Sequence, residues 1–500
     1  MEKNTLSVGI IGGGLAGLSA AVALAGRGFR VELFESRPHL GGRAGSFWEP
    51  TVGRWIDFGQ HVLMGCCSQM LRFCQQTGLD QFLCRYRKIY FVDLQGRTYP
   101  LKSNRLLPAP LHLAPAFCRF GFLSCRDRLK VLCGLAALFR SRQPLEEMTF
   151  GQWLLAQGQT PSAIRRFWTP VVLSALADVP ERVALSAARN VFVEGLLGSR
   201  EAFHLLRPTR PWGHLLDEYL GQWLAQRGVV LHRHRPIRHI DANIHQVRHL
   251  VLKDGTWKTF DFYILAVPWR QAAGLLPPAL HQAIPQLARA TLLEPGAITT
   301  WHLWLDRPIS QLPQAVIVGG RIQWVFSGLD QCGEGQPALQ RLSYGKKECT
   351  FSASPERLKW WAEMPPHQKE NSIGSKQGIG EFLPNKGRDF YYYQVVLSAT
   401  HALPTTWVPQ TIEEVLGELQ GVFPAAKGAR LLGFRRVKMH EAVFSPQPHV
   451  DPIRPSQNTP IENLALAGDW TATGWPATME SAVRSGLQAA KVALERLKIY

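Results

Sequence analysis

The segment SVGIIGGGLAGLSAAVALAGRGFRVELFE, residues 7–35, has the pattern of a strand, a tight turn, a helix and a second strand. It begins with a short apolar run, which is typical of a buried parallel strand. Gly12, Gly14 and Gly17 follow at G-x-G-x-x-G spacing. In that pattern the first glycine permits the sharp turn, the second lets a pyrophosphate approach the backbone, and the third lets the helix pack on the sheet. The predicted helix, residues 15–27, would direct its N-terminal amides toward the phosphates.

The second predicted strand, residues 29–34, is followed by an acidic residue, Glu35. A carboxylate at that point accepts hydrogen bonds from an adenosine ribose and repels a 2′-phosphate. The segment therefore favours FAD or NAD over NADP as the ligand. The alternative is a glycine-rich turn of an α/β fold that binds no ligand.

A second glycine-rich turn, which also carries a cation, follows in SRPHLGGRAGSF. Gly42 and Arg43 belong to this turn. A guanidinium at that point is suited to lie along a pyrophosphate, which is the role we predict for Arg43. The alternative is a surface turn with a solvated arginine.

The segment WIDFGQHVLMG contains the candidate catalytic residues Asp57, Gln60 and His61. The neighbouring Gly59 would let a ring system approach the backbone closely. We therefore interpret His61 as a candidate proton donor that Asp57 or Gln60 orients. In the alternative interpretation this run only shapes a pocket.

The C-terminal segment NLALAGDWTATGWPATMESAVRSGLQAAKVAL, residues 463–494, predicts a strand, a turn rich in Gly and Pro, and a helix. Gly468 and Asp469 follow the predicted strand directly, where the carboxylate would accept a hydrogen bond from a ribityl hydroxyl. The helix would present its N-terminus, near Met479, to a flavin.

Composition narrows the class of protein. A chain of 500 residues exceeds one ordinary core, so two intertwined domains are expected. No apolar run is long enough to span a membrane, no signal peptide is evident, and the nine cysteines lack zinc or haem spacing. We therefore expect a cytoplasmic protein with reduced thiols and no metal. The net charge of +18 suits nucleic acid or an anionic membrane, and no nucleic-acid motif is present.

Residues 101–142 combine cations with apolar runs such as VLCGLAALF. Only one acid, Asp127, lies among the lysines and arginines of this stretch. The pattern predicts an amphipathic segment that lies in a membrane interface, with the protein peripheral on the cytoplasmic face. The alternative is a buried pair of helices whose charges are solvated.

The middle of the chain alternates between predicted helices and strands. Residues 149–227 are expected to be largely helical, and residues 228–268 to return as strands that rejoin the cofactor sheet. Residues 297–327 predict a second sheet lined by Trp and aliphatic side chains. Residues 330–389 are polar and irregular, and they predict an insertion or mobile loop.

The pieces GGGLAGLSAA, FESRPHLGGR and LAGDWTATGWPATMESAVRSG resemble the FAD-dependent amine oxidase and phytoene desaturase superfamily. Within it, DFGQHVLMG and the C-terminal segment are similar to the squalene-associated desaturases, also called hydroxysqualene dehydroxylases. The resemblance covers nearly the whole chain in order, and the insertion near 330–389 departs from it.

The resemblance implies an α/β fold, in which a Rossmann-like FAD-binding domain is interleaved with an α+β substrate domain. Residues 1–95, 215–285 and 441–500 would bind FAD. Residues 96–214 would form a helical, membrane-facing segment, and residues 286–440 the substrate-domain sheet. The resemblance also implies that FAD contacts the following residues: Gly12, Gly14, Gly17, Glu35, Gly42, Arg43, Ile237, Gly468, Asp469 and Met479.

The family's reaction would be reductive removal of the hydroxyl of hydroxysqualene, which yields squalene for hopanoid synthesis. Such an apolar terpenoid substrate requires a tunnel and a protein that docks on lipid. An allylic cation would need π faces, for which we nominate Trp301, Trp304, Trp470 and Trp475. The reductant would be either a protein or a reduced flavin donor, and the sequence does not identify it.

Two alternatives stay open. The first is another flavoenzyme, either a carotenoid desaturase or an amine oxidase. The second is a non-catalytic escort protein that binds prenylated or other lipid partners.

Overall fold

The computed structural model describes residues 5–141, 147–328 and 390–497. The predicted insertion near 330–389 lies outside the described residues. The described strands are β1 (Ser7–Ile11), β2 (Arg30–Phe34), β3 (Ser46–Glu49), β4 (Arg54–Asp57), β5 (Leu63–Met64), β6 (Leu83–Tyr86), β7 (Ile89–Asp93), β8 (Thr98–Leu101), β9 (Leu205–Pro208), β10 (Val230–His232), β11 (Ile237–Ala242), β12 (Val247–Leu252), β13 (Trp257–Lys258), β14 (Phe262–Leu265), β15 (Pro295–Leu305), β16 (Gln314–Val318), β17 (Trp324–Ser327), β18 (Tyr391–Ser398), β19 (Leu431–Phe444) and β20 (Leu464–Leu466).

The described α-helices are α1 (Leu15–Leu24), α2 (Ser68–Thr77), α3 (Ala114–Cys118), α4 (Cys125–Arg140), α5 (Phe150–Ala156), α6 (Pro161–Ala163), α7 (Thr169–Leu176), α8 (Leu185–Asn190), α9 (Trp212–His214), α10 (Leu220–Ala225), α11 (Trp269–Leu275), α12 (Pro278–Ala283), α13 (Pro285–Ala290), α14 (Ile412–Val422) and α15 (Met479–Arg496). Wide π-helical turns continue some of these helices, at Ile164–Trp168, Val191–Leu197 and Leu215–Tyr219.

A parallel sheet in the order β10-β2-β1-β14-β20 joins three distant parts of the chain. Strand β1 lies at its centre and is buried along its whole length, as a strand covered on both faces must be. Helices α1 and α15 pack together so closely that a Cβ at Gly486 would lie 2.0 Å from the Ala16 carbonyl oxygen. The predicted Rossmann-like α/β architecture is confirmed.

The strands between residues 228 and 268 divide between two sheets. Strands β10 and β14 join the parallel sheet, whereas β11, β12 and β13 form a separate antiparallel sheet. The prediction that all of these strands rejoin the cofactor sheet is therefore wrong in part. The physical reason lies in β12, where buried side chains alternate with more exposed ones, because only one face of an antiparallel sheet needs to be covered.

The predicted second sheet has the order β19-β15-β18-β17-β16-β7-β8. One face packs against the helical core, in which Phe91, Val316 and Val318 take part. The other face is covered by α14 through Ile412 and Val415. The sheet therefore separates a thick helical layer from a single helix.

The helical layer and the domain boundaries differ in detail from the expectation. Residues 149–227 are largely helical, but β9 interrupts them and pairs with β5 and β6. The four residues of β9 are too few to show a periodicity that would have distinguished this strand from the neighbouring helices. The predicted boundary at residue 95 falls between β7 and β8, two strands of the large sheet, and the division into segments stays a prediction.

Helix α4 buries one side and exposes the other. Ser124 caps its N-terminus by accepting from the Asp127 amide. The inner side places Leu135 and Leu138 in the helical core, whereas Leu129 and Phe139 are exposed. Within the described residues, no helix combines the length and the hydropathy that a membrane crossing requires.

Candidate functional site

A cavity of about 810 Å³ extends between the parallel sheet and the large sheet. One group of lining residues comes from β1, β2, the turn at 41–43 and the C-terminal segment, and we call this the nucleotide part. A second group is formed mainly by apolar side chains of the large sheet and the helical layer. We call that part the apolar chamber, and it is lined by Ile89, Phe91, Leu101, Phe167, Val171, Leu205, Val316, Trp324 and Phe326.

The glycines of the first turn have different tasks. Gly12 has a φ of +109°, and a Cβ there would lie 2.4 Å from the Ala266 carbonyl oxygen. A Cβ at Gly17 would lie 1.9 Å from the Gly12 carbonyl oxygen. A Cβ at Gly14 would meet nothing within 4 Å, and Gly14 lines the cavity. The open space at Gly14, beside the first amides of α1, therefore fits a pyrophosphate.

The buried Glu35 carboxylate closes this turn and lines the cavity. Its Oε2 accepts from the Gly13 amide at 2.7 Å, and its Oε1 accepts from the Arg37 amide at 2.8 Å. Each carboxylate oxygen can accept more than one hydrogen bond, so capacity for a ribose hydroxyl is left.

Arg43 and Asp469 form an ion pair, and both residues line the cavity. Arg43 also donates to the Ala442 carbonyl at 3.1 Å. Both contacts hold the guanidinium at the cavity, and its role along a pyrophosphate stays a prediction. Gly468, which directly precedes Asp469, has a φ of +144°, and a Cβ there would collide with the Trp470 indole.

Two buried charged residues of this region are missing from the sequence-based prediction. Arg454 donates to the carbonyls of Asp469 at 3.0 Å and Thr471 at 2.6 Å, and so holds the turn after β20. No local pattern marks Arg454, which lies in a polar connection. Glu480 is an acid in the first turn of α15 with Arg484 one turn later, a pattern that could have been noticed.

The Glu480 carboxylate caps a second helix. It is fully buried and accepts from the amides of Gln69 at 3.1 Å and Met70 at 2.7 Å, at the start of α2. Arg484 donates to the same carboxylate at 2.6 Å. Because Glu480 also lines the cavity, this contact connects the site to the packing of α2 on α15.

The cavity brings together residues that are far apart in the chain. Gly17 packs behind the turn and does not line the cavity. The other predicted cofactor contacts all line it: Gly12, Gly14, Glu35, Gly42, Arg43, Gly59, Ile237, Gly468, Asp469 and Met479.

The three candidate catalytic residues separate into two groups. Gln60 and His61 line the cavity, and Asp57 does not. Asp57 accepts from the Ser46 hydroxyl at 2.5 Å and the Gly213 amide at 3.4 Å. Burial raises the pKa of Asp57, although these bonds and the nearby His61 oppose the rise. Asp57 therefore braces the backbone behind the site.

The His61 ring has no hydrogen bond to the side chain of Asp57 or Gln60 among the residues that the structure describes. Its Nε2 is buried and without a partner. The hypothesis that Asp57 or Gln60 orients this imidazole therefore has no hydrogen bond to support it. His61 nevertheless lines the cavity, and no described residue occupies its Nε2.

Arg207, in β9, lies behind Gln60. Its guanidinium donates to Gln60 Oε1 at 3.1 Å and to the carbonyls of Pro313 and Ser327, each at 2.7 Å. No carboxylate of the described residues pairs with it. Burial lowers the pKa of Arg207 to about 10, so the side chain stays charged at neutral pH. The sequence carries no signal for this contact, because Gln60 and Arg207 are far apart.

The nominated tryptophans differ in their positions. Trp470 and Trp475 line the cavity, whereas Trp301 and Trp304 are buried elsewhere. Trp301 packs under α14, on the face of β15 opposite to the cavity-lining Thr300. The nomination of these two indoles is therefore wrong, and Trp324 contributes an indole to the apolar chamber instead.

The chain belongs to the family of flavin containing amine oxidoreductases, whose model matches residues 15–494. It is accordingly an FAD-dependent oxidoreductase, and the nucleotide part has the open turn, the acidic residue and the helix N-termini that suit FAD. FAD, when bound, supplies hydride transfer.

Individual relatives are more distant. The chain is 24% identical to the zeta-carotene desaturase of Synechocystis sp., over 98% of this chain and 97% of that protein. It is 27% identical to the hydroxysqualene dehydroxylase of Sinorhizobium fredii, over 99% of both chains. Among solved structures, cyclohexylamine oxidase from Brevibacterium oxydans has a TM-score of 0.63 at 17% identity, over 99% of this chain and 100% of that one.

Proposed function

We propose that this protein reductively removes the allylic hydroxyl of hydroxysqualene and releases squalene. The observation that carries the proposal is the polar pair Gln60 and His61 on the wall of a cavity whose other part is apolar. A long hydrocarbon with one hydroxyl matches that distribution. The resemblance of the chain to a hydroxysqualene dehydroxylase supports the same substrate.

The overall reaction balances as an allylic alcohol plus a hydride and a proton, giving the alkene and water. Hydroxide is a poor leaving group, so the hydroxyl oxygen needs a proton or a strong hydrogen bond as the carbon–oxygen bond breaks. His61 is the titratable side chain placed for that task. The apolar chamber would bind the hydrocarbon and exclude water from the developing cation, and Trp324 would offer it a π face.

An amine substrate fits the cavity less well. Within the described part of the chain, the carboxylates that line the cavity are Glu35, Asp469 and Glu480, and all three belong to the nucleotide part. A cationic amine in the apolar chamber would have no anionic partner. Its desolvation would therefore be uncompensated.

We also propose that an anionic membrane surface is the site of substrate uptake. The loop after β8 exposes Leu106 and Leu111 next to Arg105, and α4 exposes Leu129 next to Arg126. Apolar side chains beside cations suit insertion at an anionic interface. Leu101, the last residue of β8, lines the apolar chamber, so this loop starts directly at the chamber wall.

An anaerobic lipid assay tests the proposed reaction. Photoreduced enzyme on liposomes is given hydroxysqualene, and the extracted lipid is analysed by mass spectrometry. The proposal predicts squalene in step with flavin reoxidation. Reducible yellow protein that forms no squalene would contradict it.

Carotenoid desaturation is the second candidate. It is favoured by the mainly apolar lining of the chamber and by the similarity to zeta-carotene desaturases. In that case oxidised enzyme would desaturate a carotene precursor, and hydroxysqualene would not reoxidise the reduced flavin.

A further inference from the structure

We propose that the side-chain amide of Gln60 donates the hydrogen bond to the substrate's hydroxyl oxygen, and that Arg207 is the positioning residue that fixes this amide. The inference rests on the proposed function, because it requires a substrate with a hydroxyl group. It assigns to Gln60 a direct contact with the substrate instead of a role in orienting His61.

Arg207 is held rigidly. Its side chain is buried, with a relative exposure of 5%. Two of its bonds, to the carbonyls of Pro313 and Ser327, are short at 2.7 Å each. The aromatic rings of Tyr86 and Phe326 lie against the guanidinium, with centroids 5.7 and 5.2 Å from Cζ. The Nη2–H that reaches Gln60 therefore has a fixed direction.

The fixed guanidinium selects one orientation of the Gln60 amide. Gln60 Oε1 accepts from Arg207 at 3.1 Å and from Gln394 Nε2 at 3.4 Å. If the Gln60 amide were rotated by half a turn, its NH₂ group would face the Arg207 guanidinium, which has only N–H donors, and this is unfavourable for buried polar groups. The Gln60 NH₂ group must therefore point away from Arg207.

The NH₂ group retains one free N–H. Gln60 Nε2 donates one of its hydrogens to the His61 carbonyl oxygen, at 3.2 Å. The second has no protein acceptor among the residues that the structure describes, and Gln60 lines the cavity. It is therefore available to a ligand oxygen. A hydroxyl oxygen has two lone pairs, so the Gln60 N–H and a proton from His61 can use one each.

The orientation decides what Gln60 does for the reaction. An N–H that donates to the hydroxyl oxygen becomes a stronger partner as negative charge develops on the departing oxygen. A carbonyl oxygen in the same place would accept the hydroxyl proton and would oppose departure. Arg207 thus determines whether the same amide assists or hinders the reaction.

The test compares two ligands that differ in the hydroxyl group. Dissociation constants of hydroxysqualene and squalene are measured on the oxidised holoenzyme in detergent micelles, from the change in flavin absorbance. We expect the wild type to bind the alcohol about tenfold more tightly, as one hydrogen bond would give. Arg207→Met and Gln60→Met should bring the ratio of the two constants close to one, with squalene affinity unchanged.

Two further variants separate positioning from a structural role. Arg207→Lys keeps the charge and a donor, and should restore most of the preference for the alcohol. The double variant, Arg207→Met with Gln60→Met, should give the same ratio of dissociation constants as Gln60→Met alone. Both changes act on the same hydrogen bond to the substrate's hydroxyl. Equal losses of affinity for both ligands in Arg207→Met would overturn the inference, as would an unchanged ratio.

Gln60→Glu covers the case in which Arg207→Met does not fold. The carboxylate can still pair with Arg207, but it has no N–H. We expect normal FAD content, unchanged squalene affinity and a fall in kcat of about a hundredfold. Wild-type kcat in Gln60→Glu would overturn the inference. Wild-type enzyme that forms no squalene would instead overturn the proposed function.

Discussion

Gly14 and Gly17 belong to one glycine motif, but a side chain would meet different surroundings at the two positions. At Gly14 a Cβ meets nothing within 4 Å, whereas at Gly17 it would overlap the Gly12 carbonyl oxygen at 1.9 Å. The spacing of the motif is therefore required for two separate reasons. Gly14 provides room for a ligand, and Gly17 provides room for the chain itself.

Gly14→Ala and Gly17→Ala should consequently differ in phenotype. We expect Gly14→Ala to fold with near-normal stability and to lose FAD affinity, because the methyl group occupies the space of the pyrophosphate. Gly17→Ala should destabilise the apoprotein by about 1–3 kcal/mol or more, since the backbone must shift. Thermal melting of the apoprotein and titration with FAD distinguish the two. Equal melting temperatures of the two variants would contradict this assignment.

His61 is the second residue whose role can be tested singly. If it supplies the proton to the departing hydroxyl, His61→Ala should lower the dehydroxylation rate by about 10²–10⁴-fold. FAD content should stay normal, because no hydrogen bond from the His61 ring to another described residue holds the nucleotide part. His61→Gln serves as the control for lost polarity. Full dehydroxylation rate in His61→Ala would remove His61 from the mechanism.

At the scale of elements, the start of α2 depends on a residue of another helix. Gln69 and Met70 donate their amides to Glu480 of α15, so the cap comes from a residue more than 400 positions away. The negative charge also lies at the positive end of the α2 dipole. Helix α2 and the nucleotide part therefore share one carboxylate.

Replacement of the Glu480 carboxylate should lower the stability of helix α2 and weaken the retention of FAD in the nucleotide part. Glu480→Ala leaves two buried amides without an acceptor and Arg484 without its carboxylate, and we expect a loss of about 3–5 kcal/mol in the free energy of unfolding. Glu480→Gln keeps one acceptor oxygen and should lose less. Chemical denaturation of both variants measures the difference, with FAD retention on gel filtration as a second readout. A Glu480→Ala variant as stable as the wild type would contradict the capping role.

At the scale of the whole molecule, the large sheet and the helical layer enclose the chamber, and the loop after β8 lies at its wall. That loop exposes Leu106 at 89%, far more than a side chain of a packed loop. Helix α4 likewise exposes Leu129 at 64% while its opposite side is buried. Leu106 and Leu129 thus belong to the layer that forms the chamber.

Binding to phosphatidylglycerol vesicles tests this surface. Leu106→Asp should weaken cosedimentation at low and at high salt, because it removes apolar insertion. Arg126→Ala should weaken it roughly fivefold at low salt only, as expected for about 1 kcal/mol of screened attraction. Arg128 is a poor probe, since it donates to the carbonyls of Leu123 and Cys118. Leu292→Asp, the same change at another exposed leucine, is the matched control.

Two results would contradict membrane docking through this surface. One is cosedimentation of Leu106→Asp that equals the wild type. The other is an equal loss in Leu292→Asp, which would show that the same change at any exposed leucine has the same effect.

The nucleotide part could be predicted because the residues that form it lie close together in the sequence. A strand, a glycine turn, a helix and an acidic residue lie within residues 7–35, and each glycine is required by a backbone geometry that only a few residues define. The segment around Gly468 and Met479 is equally compact. For this reason the predicted contacts at the cavity include ones from both ends of the chain.

The chemistry of the cavity wall was decided by the tertiary structure alone. Arg207 and Gln394 reach Gln60 across 147 and 334 positions of the chain, and Asp57 turns to Ser46 and Gly213 instead of His61. No periodicity or spacing encodes such contacts, because they arise where separate sheets pack and buried donors must find acceptors. The sequence by itself thus determined the cofactor and the fold class, and packing decided which polar groups face the substrate.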